Sequence, residues 1–151
     1  FLPSDYISDQ RQKIEIYKRI REIESRTYYQ DLQDELIDRF GEYPDTVAYL
    51  LEIGLLKYFS DQALVDKIDK QLTTIVYMMS KAATHTFMPQ DYFDALSKTQ
   101  LKAKIGETSG QMVIRFDIRN LSAATYLSEI ISFTERLSAI RDEKTNEKTG
   151  N

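Results

Sequence analysis

The chain has 151 residues, a formal net charge of −4 and no cysteine, and it lacks any apolar run near the ~18 residues that a membrane-spanning helix needs. A disulfide framework, a thiolate metal site and a transmembrane helix are thereby excluded, and the negative balance repels phosphate backbones unless a local basic patch offsets it. The shares of hydrophobic (42%) and charged (29%) residues are those of a water-soluble globular fold, and the length suits one domain. Phe1 stands where a complete cytosolic protein has methionine, so the chain is expected to be a piece of a longer protein whose other parts it acts upon.

In chain order, residues 1–9 read as an extended lead-in that tucks Tyr6 and Ile7 onto the body. From Asp9, a suitable N-cap, to about Glu24 the apolar positions Ile14, Ile16, Tyr17, Ile20 and Ile23 predict a first helix. Its other face carries Arg11, Lys13, Glu15, Lys18, Arg19, Arg21 and Glu22. A second helix spans Thr27 to Phe40, with Tyr29, Leu32, Leu36, Phe40 and Ile37 as its buried side and Gly41 as a left-handed stop. Pro44 suits the first turn of a third helix whose stripe is Val47, Leu50, Leu51, Gly54, Leu55 and Tyr58.

Beyond Ser60 the pattern changes. Leu72–Ser80 and Gln111–Asp117 are rich in β-branched and aromatic residues and read as strands. Leu101–Ile105 is a shorter strand leading into a turn over Gly106–Gly110, residues 65–70 can add another, and Pro89–Ser97 suits a short helix. Leu121, Ala124, Leu127, Ile130, Ile131, Thr134 and Leu137 predict a long last helix over one sheet face. Residues 1–141 are expected to form a single domain. Residues 142–151 contain no apolar side chain and are expected to be a disordered tail. The fold class is therefore α+β: three N-terminal helices, then a small, mainly antiparallel sheet covered by a C-terminal helix.

Catalytic constellations are hard to assemble from this sequence. His85 is the lone histidine, and there is no Gly-x-Ser-x-Gly elbow, no Gly-x-x-x-x-Gly-Lys-Ser/Thr loop and no Gly-x-Gly-x-x-Gly turn. Pairs such as Asp66 and Asp69 sit among lysines and read as solvated surface. The ten tyrosines fall mostly on helical apolar stripes, which favours packing over a stacking platform for single strands.

One cluster carries more information. On the second helix Asp31, Asp34, Glu35 and Asp38 share a sector opposite the Leu32/Leu36/Phe40 stripe. Asp31–Glu35 and Asp34–Asp38 are like-charged i,i+4 pairs, each costing an isolated helix about 0.2–0.5 kcal/mol. Arg39 can relieve Glu35 at i+4. Two readings stay open: a solvated face, or a docking face that meets arginines of a partner.

Glu35-Leu36-Ile37-Asp38-Arg39-Phe40-Gly41 followed by Pro44, the opening Leu2-Pro3-x-Asp5-Tyr6-Ile7-x-Asp9, and Arg11-x5-Tyr17-Lys18-Arg19-Ile20 together resemble the C-terminal domain of the bacterial transcription-repair coupling factors. Leu50, Leu51, Ile53, Leu56 and Lys57 continue the likeness, which covers residues 2–58; further on it is a pattern of strands and helices, and Leu64-Val65 departs from a Gly-Ile pair common in the family.

The resemblance implies a cytoplasmic parent that is an ATP-driven DNA translocase, displacing stalled RNA polymerase and recruiting UvrA for excision repair. It implies that ATP, magnesium and DNA are handled elsewhere in the parent and that this domain is no enzyme and holds no cofactor. It also implies a clamp: the domain docks on the N-terminal, UvrB-like region of its own chain and masks UvrA binding, with Glu35 and Asp38 meeting basic side chains. The competing readings are an independent small enzyme and a nucleic-acid module using Arg11, Lys13, Lys18, Arg19 and Arg21.

Overall fold

The computed structural model describes residues 1–149. The element order is α1 (Gln10–Arg21), α2 (Arg26–Phe40), α3 (Asp45–Gln62), β1 (Val65–Lys70), β2 (Thr74–Met79), a 3₁₀ turn (Lys81–His85), α4 (Pro89–Leu96), β3 (Ala103–Thr108), β4 (Gln111–Asp117) and α5 (Ala123–Thr149). This is the expected α+β order. Within it the chain divides into two compact units, Phe1–Tyr58 and the residues from Phe59 onward.

In the first unit α1 and α2 start where a short polar side chain can satisfy their unpaired N–H groups. Asp9 accepts from the Arg11 and Gln12 amides, and Ser25 from the Tyr28 amide. Gly41, at φ +83°, ends α2 in a conformation that side chains disfavour. Pro44 lies just ahead of α3 and its carbonyl accepts from the Val47 and Ala48 amides. Ile16, Ile20, Ile23, Leu32, Leu36, Val47, Leu51 and Leu55 form the core. Gly54 is required by a close approach: a Cβ there would meet Ile20 Cγ2 at 2.9 Å and the Ile20 carbonyl oxygen at 3.0 Å. The lead-in is folded rather than extended. A turn brings the Tyr6 and Ile7 amides onto the Pro3 carbonyl, burying Leu2 and Ile7, and the Tyr6 hydroxyl donates to the Gly41 carbonyl at 2.8 Å.

Ile14 departs from the expected stripe and is 65% exposed. At 100° per residue it lies about 160° from Ile16, so the two cannot share a buried face. Ile37 likewise stays 45% exposed, on the flank of α2 rather than in its stripe.

In the second unit the strands pair antiparallel in the order β1-β2-β4-β3. Register places Ile75 opposite Phe116 and Tyr77 opposite Ile114, which aligns one buried face. There Tyr77, Phe116 and Phe133 of α5 meet edge to face with centroids 5.0–5.7 Å apart. The Tyr77 hydroxyl, fully enclosed, is hydrogen-bonded to Thr134 Oγ1 at 2.7 Å, and burial pushes its pKa up.

The turn between β3 and β4 is shorter than the sequence suggests. β3 runs on through Gly106 to Thr108, and only Ser109 (φ 52°) and Gly110 (φ 79°) turn, the pair of positive φ angles a tight hairpin needs. The tail differs too. Residues 142–149 continue α5 rather than forming a disordered segment, while Gly150 and Asn151 lie outside the described residues. Extending an already nucleated helix needs no apolar face when its charges find partners. Glu143 meets Arg136 at 2.9 Å and Lys144 meets Asp91 of α4 at 3.0 Å.

Candidate interaction surface

The packing of α1 on α2 decides which acidic groups are engaged. Both helices carry charges four residues apart, Glu15/Arg19 and Glu35/Arg39, and their pairing interleaves them. Arg39 Nη1 lies 3.2 Å from Glu15 Oε1 and 2.8 Å from Glu35 Oε2, and Arg19 donates from Nη1 to the same Glu35 oxygen. The guanidinium of Arg39 also covers the Phe40 ring at 4.9 Å. Arg19, and after it Arg39, hold the Glu35 carboxyl below the usual carboxylate range by hydrogen bonding to its charged form. Glu35 is thus a clasp between two helices. Its side chain keeps 34% of its surface exposed, so the clasp sits at the protein–water boundary.

Asp31, Asp34 and Asp38 have a different situation. All three are exposed, and among the described residues none has a side-chain hydrogen bond or ion pair. They occur at helical spacing along the outer face of α2, over about 10 Å at 1.5 Å per residue. Ile37 borders them. The arrangement can form several charge-assisted contacts to guanidinium groups at once, and its apolar neighbour offers a dry edge.

The other candidate groups are dispersed. His85 is exposed at the end of the 3₁₀ turn. Asp66 sits at a bulge in β1 and accepts from Gln111 Nε2 at 3.2 Å, while Asp69 is exposed further along the strand. Among the described residues no group of three or more His, Asp or Glu side chains could hold a metal ion. Tyr77 and Tyr92 are core residues. The cations of α1 are partly spent: Arg19 on Glu35, Lys18 on Glu22 at 3.9 Å, and Lys13 on the Ser4 hydroxyl at 2.8 Å. Among the described residues no helix is long and apolar enough to cross a membrane.

A family model described as "TRCF domain" matches residues 1–90, the stretch that contains the whole of α1–α3 and the Glu35–Gly41 run. The chain belongs to the TRCF domain family. Similar proteins extend the match beyond the first unit. The transcription-repair-coupling factor of Bacillus subtilis (strain 168) is 27% identical over 143 residues, covering 95% of this chain and 12% of that protein. The transcription-repair-coupling factor of Staphylococcus aureus (strain NCTC 8325 / PS 47) is 32% identical over 140 residues, covering 91% of this chain and 12% of its own length. A solved structure, the crystal structure of a C-terminal domain of transcription-repair coupling factor, superposes with a TM-score of 0.91 at 49% identity, covering 95% of this chain and 89% of that one. This TRCF domain therefore spans about 12% of the length of the curated relatives it matches. The match includes the sheet and α5, where the sequence motifs had thinned to a pattern.

The engagement of Glu35 is what sequence reasoning missed. Its pairing with Arg39 is visible as i,i+4, but the contact to Arg19 joins two helices. The available signal was the repeated Glu-x3-Arg spacing on both.

Proposed function

We propose that this TRCF domain is a regulatory docking module that restrains the longer protein to which it belongs. That protein is taken to be a cytoplasmic transcription-repair coupling factor, an ATP-driven DNA translocase that displaces stalled RNA polymerase and recruits UvrA. In the closed state the domain sits on the N-terminal, UvrB-like region of the same chain and covers the surface that UvrA uses. The observation that carries the reading is the outer strip of α2: Asp31, Asp34 and Asp38 are exposed and have no partner among the described residues. Basic side chains of the UvrB-like region would meet them, and Glu35 would support the strip by fixing α2 on α1.

Such a switch needs little intrinsic affinity. Tethering makes the contact intramolecular and raises its effective concentration, so a few exposed charge pairs suffice to hold the closed state. A ligand that prefers the open state, such as engaged polymerase, shifts the population by its differential affinity. ATP and magnesium belong to the motor, and this domain's part is positional.

The test is Asp34→Lys with Asp38→Lys in the full-length protein. Basal ATPase and UvrA binding should both rise, with the circular dichroism of the domain unchanged. Wild-type values of both would remove the acidic strip from the mechanism. Glu35 is a poorer probe, because reversing it breaks the clasp to Arg19 and Arg39 and confuses docking with folding.

A further inference from the structure

The second unit has an exposed apolar feature that the regulatory reading leaves unused. At the tip of the β1–β2 hairpin Leu72 is 92% exposed. The tip is built: the Gln71 amide donates to the Thr74 carbonyl at 2.8 Å and the Thr74 hydroxyl to Gln71 Oε1 at 3.2 Å, so a structured turn holds the leucine outward. Beside it lies a groove of about 580 Å³ lined by Leu72, Ile118, Leu121, Tyr126, Lys70 and Arg119, among others. Leu121 is itself 38% exposed. Apolar surface gathered in this way marks interaction sites more often than isolated exposed leucines do.

The groove lining holds two cations, Lys70 and Arg119, and no carboxylate. Asp117, outside the lining, pairs with Arg119 at 2.7 Å and is held down to about 2 by that hydrogen bonding, which leaves Lys70 as the cation of the lining without such a pair. The first turn of α5 has no acidic side chain to offset the positive helix end. A fitting occupant is acidic with an apolar side chain at its edge. The outer face of α2 has that composition: Asp31, Asp34 and Asp38 bordered by Ile37, 45% exposed.

We propose that this groove receives the α2 outer face of a second copy of the chain, with Ile37 against Leu72 and Leu121 and the aspartates toward Lys70 and Arg119. Each copy carries both halves of the contact, so association is head-to-tail. The net charge of −4 opposes it at long range, which makes the contact weak and concentration-dependent. The inference deepens the docking reading by using the same strip: a strip held by the N-terminal region is closed to a second copy.

Sedimentation velocity on the chain over a dilution series tests it. The weight-average sedimentation coefficient should rise with concentration, and Leu72→Asp, Lys70→Glu or Asp38→Lys should each weaken association about tenfold or more. Mixing Lys70→Glu with Asp38→Lys should restore it, because the altered groove then meets the altered strip with opposite charge. A chain that stays monomeric throughout, or association indifferent to Leu72→Asp and Asp38→Lys, overturns the proposal. The two readings fail separately: release of ATPase by the α2 variants beside a strictly monomeric wild-type chain sinks this inference alone.

Discussion

Glu35 and Asp38 stand less than one turn apart on α2 and bear the same charge, yet one is shared between Arg19 and Arg39 while the other is exposed without a partner among the described residues. The flank of α2 that faces α1 is used by the fold, and the face turned away is left over. The like-charged neighbours Asp34 and Asp38 cost the helix a few tenths of a kcal/mol and gain nothing within the first unit. A group that the fold engages and a group that it leaves free should answer mutation in opposite ways, the first in stability and the second in binding.

The largest effect belongs to the aromatic cluster of the second unit. Phe133→Ala empties a site where three rings meet, and urea denaturation should show a loss of about 3–5 kcal/mol. Next is Gly54→Val in the first unit. Even a Cβ there approaches the Ile20 backbone too closely, and a branched side chain should cost about 1–3 kcal/mol, read as a lowered Tm. Glu35→Gln should cost about 1 kcal/mol or less, since the clasp is partly exposed to water.

The same variant fixes the pH sign. The folded carboxyl of Glu35 titrates lower than the unfolded one, so its contribution is complete above the usual carboxylate range and is lost as pH falls through it. The stability gap between wild type and Glu35→Gln should therefore close under acid conditions. A gap independent of pH would mean that the carboxylate charge does not make the clasp. Smallest of all, Asp34→Lys with Asp38→Lys should move stability by no more than about 0.5 kcal/mol. A loss as large as that of Gly54→Val would erase the contrast by showing the strip to be structural.

The sequence is informative where local chemistry decides. Asp9, Gly41 and Pro44 bracket the helices because caps and stops act within one turn, and Leu32 and Leu36 lie in the core as their spacing demands. It is silent where partners come from afar. Ile14 is apolar like the α1 stripe, but its helical angle does not reach it, and the tail has no apolar signal because Lys144 finds Asp91 only after α4 and α5 pack together. Glu35 is indistinguishable in sequence from its aspartate neighbours for the same reason: Arg19 is sixteen residues away. The hairpin turn tightened to Ser109-Gly110 because β3 could keep pairing with β4 through Thr108, which composition alone does not reveal.

As proposed above, the outer strip of α2 would bind basic groups of the N-terminal, UvrB-like region. The most direct measurement is calorimetric titration of that region with this domain across a salt series, for wild type and for Asp34→Lys with Asp38→Lys. Wild-type binding should weaken as salt rises, and the variant should bind at least about tenfold more weakly with little salt dependence left. Equal affinity and equal salt dependence for the two forms would contradict that proposal.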